Sequence, residues 1–203
     1  MRTATRPFKI TIIALMIALS AVFEFVNRAL PIRVPWGMSI DFVAVPVIIA
    51  FFILGTRYAI LSGLGMALVI MALFGDFVGG TLKLVATLTM VLVMGMLTLA
   101  PFSREGPSVA YRSLPRFIAG AALALAVRCA VAAAVNYYWA LPIFFSMPIE
   151  NLIQTFFMGS MTGFIVFVST MNLTQGIIDL AVSWFIVFGG RLANRASYLT
   201  RRA

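Results

Sequence analysis

Several stretches of this chain run apolar for about twenty residues, the length one helix needs to cross a bilayer core about 30 Å thick. They are Phe8 to Leu30, Tyr58 to Phe74, Thr81 to Leu99, Arg116 to Leu141, Pro148 to Thr170 and Asn172 to Phe188, with a shorter one from Asp41 to Leu54. An outer-membrane barrel would instead alternate apolar and polar residues over short segments. The 203 residues are 63% hydrophobic and 10% charged, against roughly 25% charged in soluble domains. The expected fold is therefore an all-α integral membrane domain spanning residues 1–203, with no room for a separate soluble unit. Any nucleotide hydrolysis must then sit on another polypeptide.

Basic residues set the orientation. Arg2, Arg6 and Lys9 precede the first helix, and Arg57 lies between the second and third. Arg104, Arg112 and Arg116 lie between the fourth and fifth, and Arg191, Arg195, Arg201 and Arg202 follow the last. Placing all of these in the cytoplasm gives a multi-pass cell-membrane protein with both termini cytoplasmic. Seven full spans would move the final arginines outside. Six transmembrane helices are therefore expected, with Pro148 to Thr170 as a partly inserted or re-entrant helical segment on the outer side. The basic start resembles a secretory signal, but Glu24, Asn27 and Arg28 follow the apolar run instead of a small-residue cleavage site. It is read as a retained first helix.

Charges inside hydrocarbon need a physical reason. Glu24 and Arg28 are four apart on one helix face, the spacing of a local ion pair. Arg128 lies about twelve residues, roughly 18 Å, below the outer end of the fifth helix, and Asp179 about 10 Å below the start of the last. The two are expected to approach each other. Asn172, Gln175 and Asp179 form a polar stripe on an apolar helix, and Asn136 shares a face with Arg128. Amides converging near Trp36, Met38, Tyr137 and Trp139 would suit a flat, polar-edged heteroaromatic ligand. Equally, Asn and Gln can hold helices together, with Trp and Tyr forming an interfacial belt.

Catalysis has little support in this sequence. It contains no His, so Ser-His and Cys-His pairs and His-based metal sites are excluded. Cys129, the single cysteine, lies in an apolar run and reads as a packing residue. No phosphate-binding Gly-Lys-Ser/Thr loop is present. The expectation is a protein that is not an enzyme and has no cofactor or metal.

Five stretches, in order, carry a family resemblance. They are Ala14-Leu15-Met16-Ile17-Ala18, Ser39-Ile40-Asp41-Phe42-Val43-Ala44-Val45-Pro46, Phe52-Ile53-Leu54-Gly55, Asn136-Tyr137-Tyr138-Trp139-Ala140-Leu141-Pro142 and Met171-Asn172-Leu173-Thr174-Gln175-Gly176. Together they resemble the substrate-binding S components of energy-coupling factor vitamin transporters, and most of all the riboflavin-binding branch. The chain departs from that pattern at Ala44, Thr56, Lys83-Leu84 and Gln175. The resemblance implies a pocket near the outer face that binds riboflavin or a related flavin. Its expected residues are Asn136, Asn172, Gln175, Asp41, Ile40, Met38, Lys83 and Tyr137. The implied partners are a transmembrane coupling subunit, docked on Ala14 and Ala18, and two ATPase subunits. The alternatives are another vitamin of the biotin, pantothenate or thiamin class, where Lys83 could hold an acidic group, or a stand-alone secondary transporter.

Overall fold

The computed structural model describes residues 6–30, 39–99, 105–190 and 192. Among them the regular elements are helical. Helix α1 is Arg6–Ala29, α2 Val45–Leu54, α3 Thr56–Phe74, α4 Phe77–Met96 and α5 the single turn Pro107–Ala110. Helix α6 (Leu114–Val135) passes through a π-helical turn (Asn136–Ala140) into α7 (Leu141–Phe145), a continuous 32-residue rod. Helix α8 is Ile149–Phe157, and α9 (Met161–Trp184) ends in a second π-helical turn (Phe185–Gly189). Five of these helices or rods are long and apolar enough to cross a membrane, and α2 is a sixth, shorter apolar helix.

The interior is more polar than the surface in places, as expected of a bundle solvated by lipid. Ile10, Phe25, Leu68, Leu73, Phe77 and Met96 lie on the outside, while Ser20, Glu24, Arg128, Asn172, Asp179 and Ser183 are buried. Helices alternate in direction, so one end of the bundle gathers the basic residues. There Lys9 lies over the Tyr58 ring, Thr56 packs on Gly95, and Arg116 pairs with Glu105 at 3.2 Å. Tyr111 closes this end. Its hydroxyl donates to the Met94 carbonyl (2.6 Å), and its own carbonyl accepts from Trp184 Nε1 (2.9 Å). Burial pushes the Tyr111 phenol up to about 12.

Helix α2 shapes everything above that end. Eight of its ten residues are buried, and Phe51 and Phe52 meet Tyr111, while Phe52 also meets Phe117 and Phe188. Ten residues extend only about 15 Å, so the segment expected from Asp41 to Leu54 does not by itself span a bilayer. It begins at Val45 because Pro46, which lacks an N–H, suits a first helical turn. It ends at Gly55, whose φ of 96° reverses the chain directly into α3.

Two further boundaries differ from the sequence reading. Pro148 to Thr170 is not one segment, since only α8 is a separate surface helix. Leu152 of α8 is buried, and Phe157 packs on Phe164 and Phe167 of α9. The rest belongs to α9, which starts eleven residues before Asn172 because the Ser160 hydroxyl accepts from Gly163 N–H (3.0 Å). The fifth span also continues past Leu141. The π-helical turn just before Pro142 widens the helix where the proline ring would otherwise press on the preceding turn.

Candidate functional site

Because α2 fills only half the bundle's length, a cleft remains beyond its N-terminus, between α4, α6 and α9. It measures about 700 Å³ including the space at its open mouth. Ser39, Asp41 and Ala44 border it from the chain leading into α2. Gly79, Leu82, Lys83, Ala86 and Thr87 line it from α4, Arg128 from α6, and Met171, Asn172, Gln175 and Asp179 from α9.

The Asp41 segment is tied down from three sides. Gln175 Nε2 donates to the Asp41 carbonyl (2.7 Å), and Asp41 N–H donates back to Gln175 Oε1 (3.1 Å). The side-chain amide of α9 thus engages both backbone groups of one residue. The same Nε2 donates to Asp179 Oδ1 (2.8 Å). Asp41 Oδ1 accepts from Val43 N–H (2.9 Å), while Oδ2 receives Ser39 Oγ (3.1 Å) and the Lys83 ammonium. Ser20 of α1 adds a hydrogen bond to the Val43 carbonyl (3.0 Å).

A chain of charges continues from there. Lys83 Nζ lies 3.3 Å from Glu24, which is 1% exposed. Glu24 also pairs with Arg28 (2.9 Å), and Arg28 reaches Asp76 (3.0 Å). Asp76 in turn caps α4 by accepting from Gly79 N–H (2.7 Å). A Cβ at Gly79 would stand 2.5 Å from that carboxylate, so a larger residue there would require the Asp76 side chain to turn. At the deep end, Arg128 Nη1 lies 3.3 Å from Asp179 Oδ2 and 3.4 Å from Met90 Sδ. Gly176 lets α6 pack closely on α9 beside this pair: a Cβ there would come 2.4 Å from Leu125 Cδ2 and 3.4 Å from Arg128 Cδ. Every cation in the chain of charges has a carboxylate partner, which lowers the cost of burying it.

Four of the expected binding residues border the cleft: Asp41, Lys83, Asn172 and Gln175. Asn172 is buried, and its Nδ2 donates to the Val168 carbonyl one turn back (3.0 Å). Ile40, Asn136 and Tyr137 are not among the lining residues. Asn136 sits in the π-helical turn of the α6 rod and donates to the Ala132 carbonyl (2.8 Å). The Tyr137 ring faces Tyr138 and Phe164. Met38 lies outside the described residues. Arg128 and Asp179 border the cleft although sequence pattern alone favoured a structural pair. Their depth on facing helices was the signal for their meeting, but helical spacing does not place them beside empty space. Ala14 and Ala18 lie on the exposed face of α1.

The chain matches the family described as ECF transporter, substrate-specific component, over residues 8–189. It is also similar to a solved structure, that of the S component of a bacterial ECF transporter. Identity there is 22% and the TM-score 0.68, over 94% of this chain and 98% of the other. At that identity the likeness concerns the fold. No curated protein sequence matches the chain.

Proposed function

The chain belongs to the family of ECF transporter substrate-specific components, and from that premise we propose that its cleft captures a neutral, flat, polar-edged vitamin, riboflavin or a related flavin. Family membership makes it a multi-pass membrane transport component and not an enzyme, acting with ECF transporter subunits on a small-molecule substrate.

The observation that carries the choice of ligand is that each cation of the lining already has a carboxylate partner. Lys83 is held by Asp41 and Glu24, and Arg128 by Asp179. A carboxylate vitamin such as biotin or pantothenate would either break one of these pairs or add a second carboxylate beside Asp179 on Arg128, leaving a buried negative charge in excess. A cationic vitamin of the thiamin class would find Asp41, Glu24 and Asp179 already engaged by Lys83 and Arg128. A neutral ring asks only for hydrogen bonds and apolar surface. Leu82, Ala86 and Met171 supply the surface, and the Asn172 amide supplies both a donor and an acceptor. Residues Asp41, Lys83, Asn172 and Gln175 are the proposed binding set, with the basic end of the bundle in the cytoplasm and the cleft toward the outside. Transfer inward is proposed to need a transmembrane coupling subunit docked on Ala14 and Ala18, with ATP hydrolysed on two further subunits.

The test is a titration of the detergent-purified protein with riboflavin, followed by quenching of flavin fluorescence. Saturable one-to-one binding that biotin, pantothenate and thiamin fail to displace is expected. Binding of one of those three in place of riboflavin sinks the flavin assignment. Uptake driven by an ion gradient with no ATPase present would remove the transport class as well.

A further inference from the structure

Among the described residues, Arg128 uses only one nitrogen of its guanidinium on protein partners. Nη1 meets Asp179 and Met90, whereas Nε is buried with no hydrogen-bond partner. Among the described residues Nη2 likewise has no hydrogen-bond partner. Nε and Nη2 form one side of the planar fork, two parallel N–H groups that match two neighbouring acceptors. The residue is 4% exposed and is one of those that line the cleft. A buried N–H without an acceptor costs the fold free energy, and a ligand that supplies the acceptor recovers it.

Asp179 narrows the class of that ligand. It already neutralises Arg128, and Gln175 fixes it in place. A second carboxylate on the fork would leave one buried negative charge in excess, so a neutral pair of acceptors fits better. We infer that the free edge of Arg128 reads a carbonyl oxygen and an adjacent ring nitrogen on one side of a flat heterocycle, making Arg128 a specificity-determining contact at the floor of the cleft. The same fork reads the carbonyl and ring nitrogen of guanine in DNA grooves. An isoalloxazine ring carries two such pairs, the 4-carbonyl with N5 and the 2-carbonyl with N1. This inference rests on the flavin reading and deepens it.

The experiment compares riboflavin, 5-deazariboflavin and 1-deazariboflavin, in each of which one ring nitrogen of a pair is replaced by C–H. All three are titrated into wild type and R128K. Lysine keeps a cation beside Asp179 but cannot present a fork. The wild type is expected to bind one deaza compound about tenfold or more weakly than riboflavin. R128K is expected to bind riboflavin more weakly, to lose the discrimination, and to unfold thermally within a few degrees of wild type. If wild type binds riboflavin and both deaza compounds alike, or if R128K keeps the discrimination, the inference is overturned and the flavin reading stands. If wild type does not bind riboflavin, both are overturned. Should R128K lose its fold, the double variant R128Q/D179N, which removes both charges together, takes its place under the same criteria.

Discussion

Gln175 ties the chain before α2 to α9 and to the charged floor of the cleft through three hydrogen bonds. Its amide is largely committed to the protein, which makes Asn172 the freer of the two. Asn172 uses one N–H on Val168, and among the described residues its side chain makes no further hydrogen bond. Replacing Asn172 by Ala is expected to weaken riboflavin binding by about 1–3 kcal/mol, because a ligand group is left buried and unpaired. Asn136→Ala removes a hydrogen bond inside its own helix, away from the cleft lining. Its riboflavin affinity should stay within about twofold of wild type while its thermal stability falls by about 0.5–1.5 kcal/mol. Equal losses of affinity in both variants, measured by fluorescence titration, would move the binding surface to the α6 rod. The sequence pattern placed both amides toward one pocket because each lies on the same helix face as a buried charge. Facing direction is all that such spacing encodes. The π-helical turn begins at Asn136, so a spacing argument built on 3.6 residues per turn fails for the residues that follow it, Tyr137 to Ala140.

Among the elements, those whose ends are marked by local chemistry were the most legible. Helix α1 and helix α3 fall close to their apolar runs, and Gly75, in the left-handed region at φ 66°, closes α3 as a C-terminal glycine should. The short α2 was harder, since hydropathy reports that a segment avoids water but not how deep it sits. The start of α9 was hidden because Met161 to Thr170 is as apolar as what precedes it, and the break between them is confined to Met158, Gly159 and the Ser160 cap. The joint between α8 and α9 has a feature no periodicity reveals. Met158 closes α8 in the left-handed region, with φ 52° and 92% of its surface exposed. A side chain there meets the steric cost of that conformation, roughly 1–2 kcal/mol, with no packing to offset it. Met158→Gly is therefore expected to raise stability by up to about 1 kcal/mol, after the greater flexibility of glycine in the unfolded chain is counted. Thermal unfolding in detergent reads the change. A lower midpoint would mean that the Met158 side chain makes a contact with lipid or detergent worth more than the strain.

On the scale of the whole molecule, α1 divides its labour between two faces. Met16, Ser20, Glu24 and Asn27 recur at helical spacing and turn inward, where Ser20 and Asn27 reach the Asp41 segment and Glu24 reaches Lys83. Ile10, Ala14, Leu15, Ala18, Val22 and Phe25 turn outward and are exposed. In a bilayer apolar surface is solvated by lipid, so hydrophobicity alone does not hold a second helix against that face. Small residues four apart do favour such contact, because they let two backbones approach and gain dispersion contacts. The proposed docking of the coupling subunit on Ala14 and Ala18 follows from that geometry together with the family to which the chain belongs. Leucine at either position adds bulk only to the outward face, away from the cleft and from the charges that brace it. Ala14→Leu and Ala18→Leu are therefore expected to bind riboflavin with wild-type affinity and to unfold at the wild-type temperature. Uptake into cells or proteoliposomes containing the ATP-driven subunits should fall by about tenfold or more, as the close approach costs the association roughly 1–3 kcal/mol when overfilled. Co-purification of the coupling subunit should fall in parallel. Loss of flavin binding in these variants would show that the outward face of α1 communicates with the cleft. Normal uptake in both would place the docking surface on another helix.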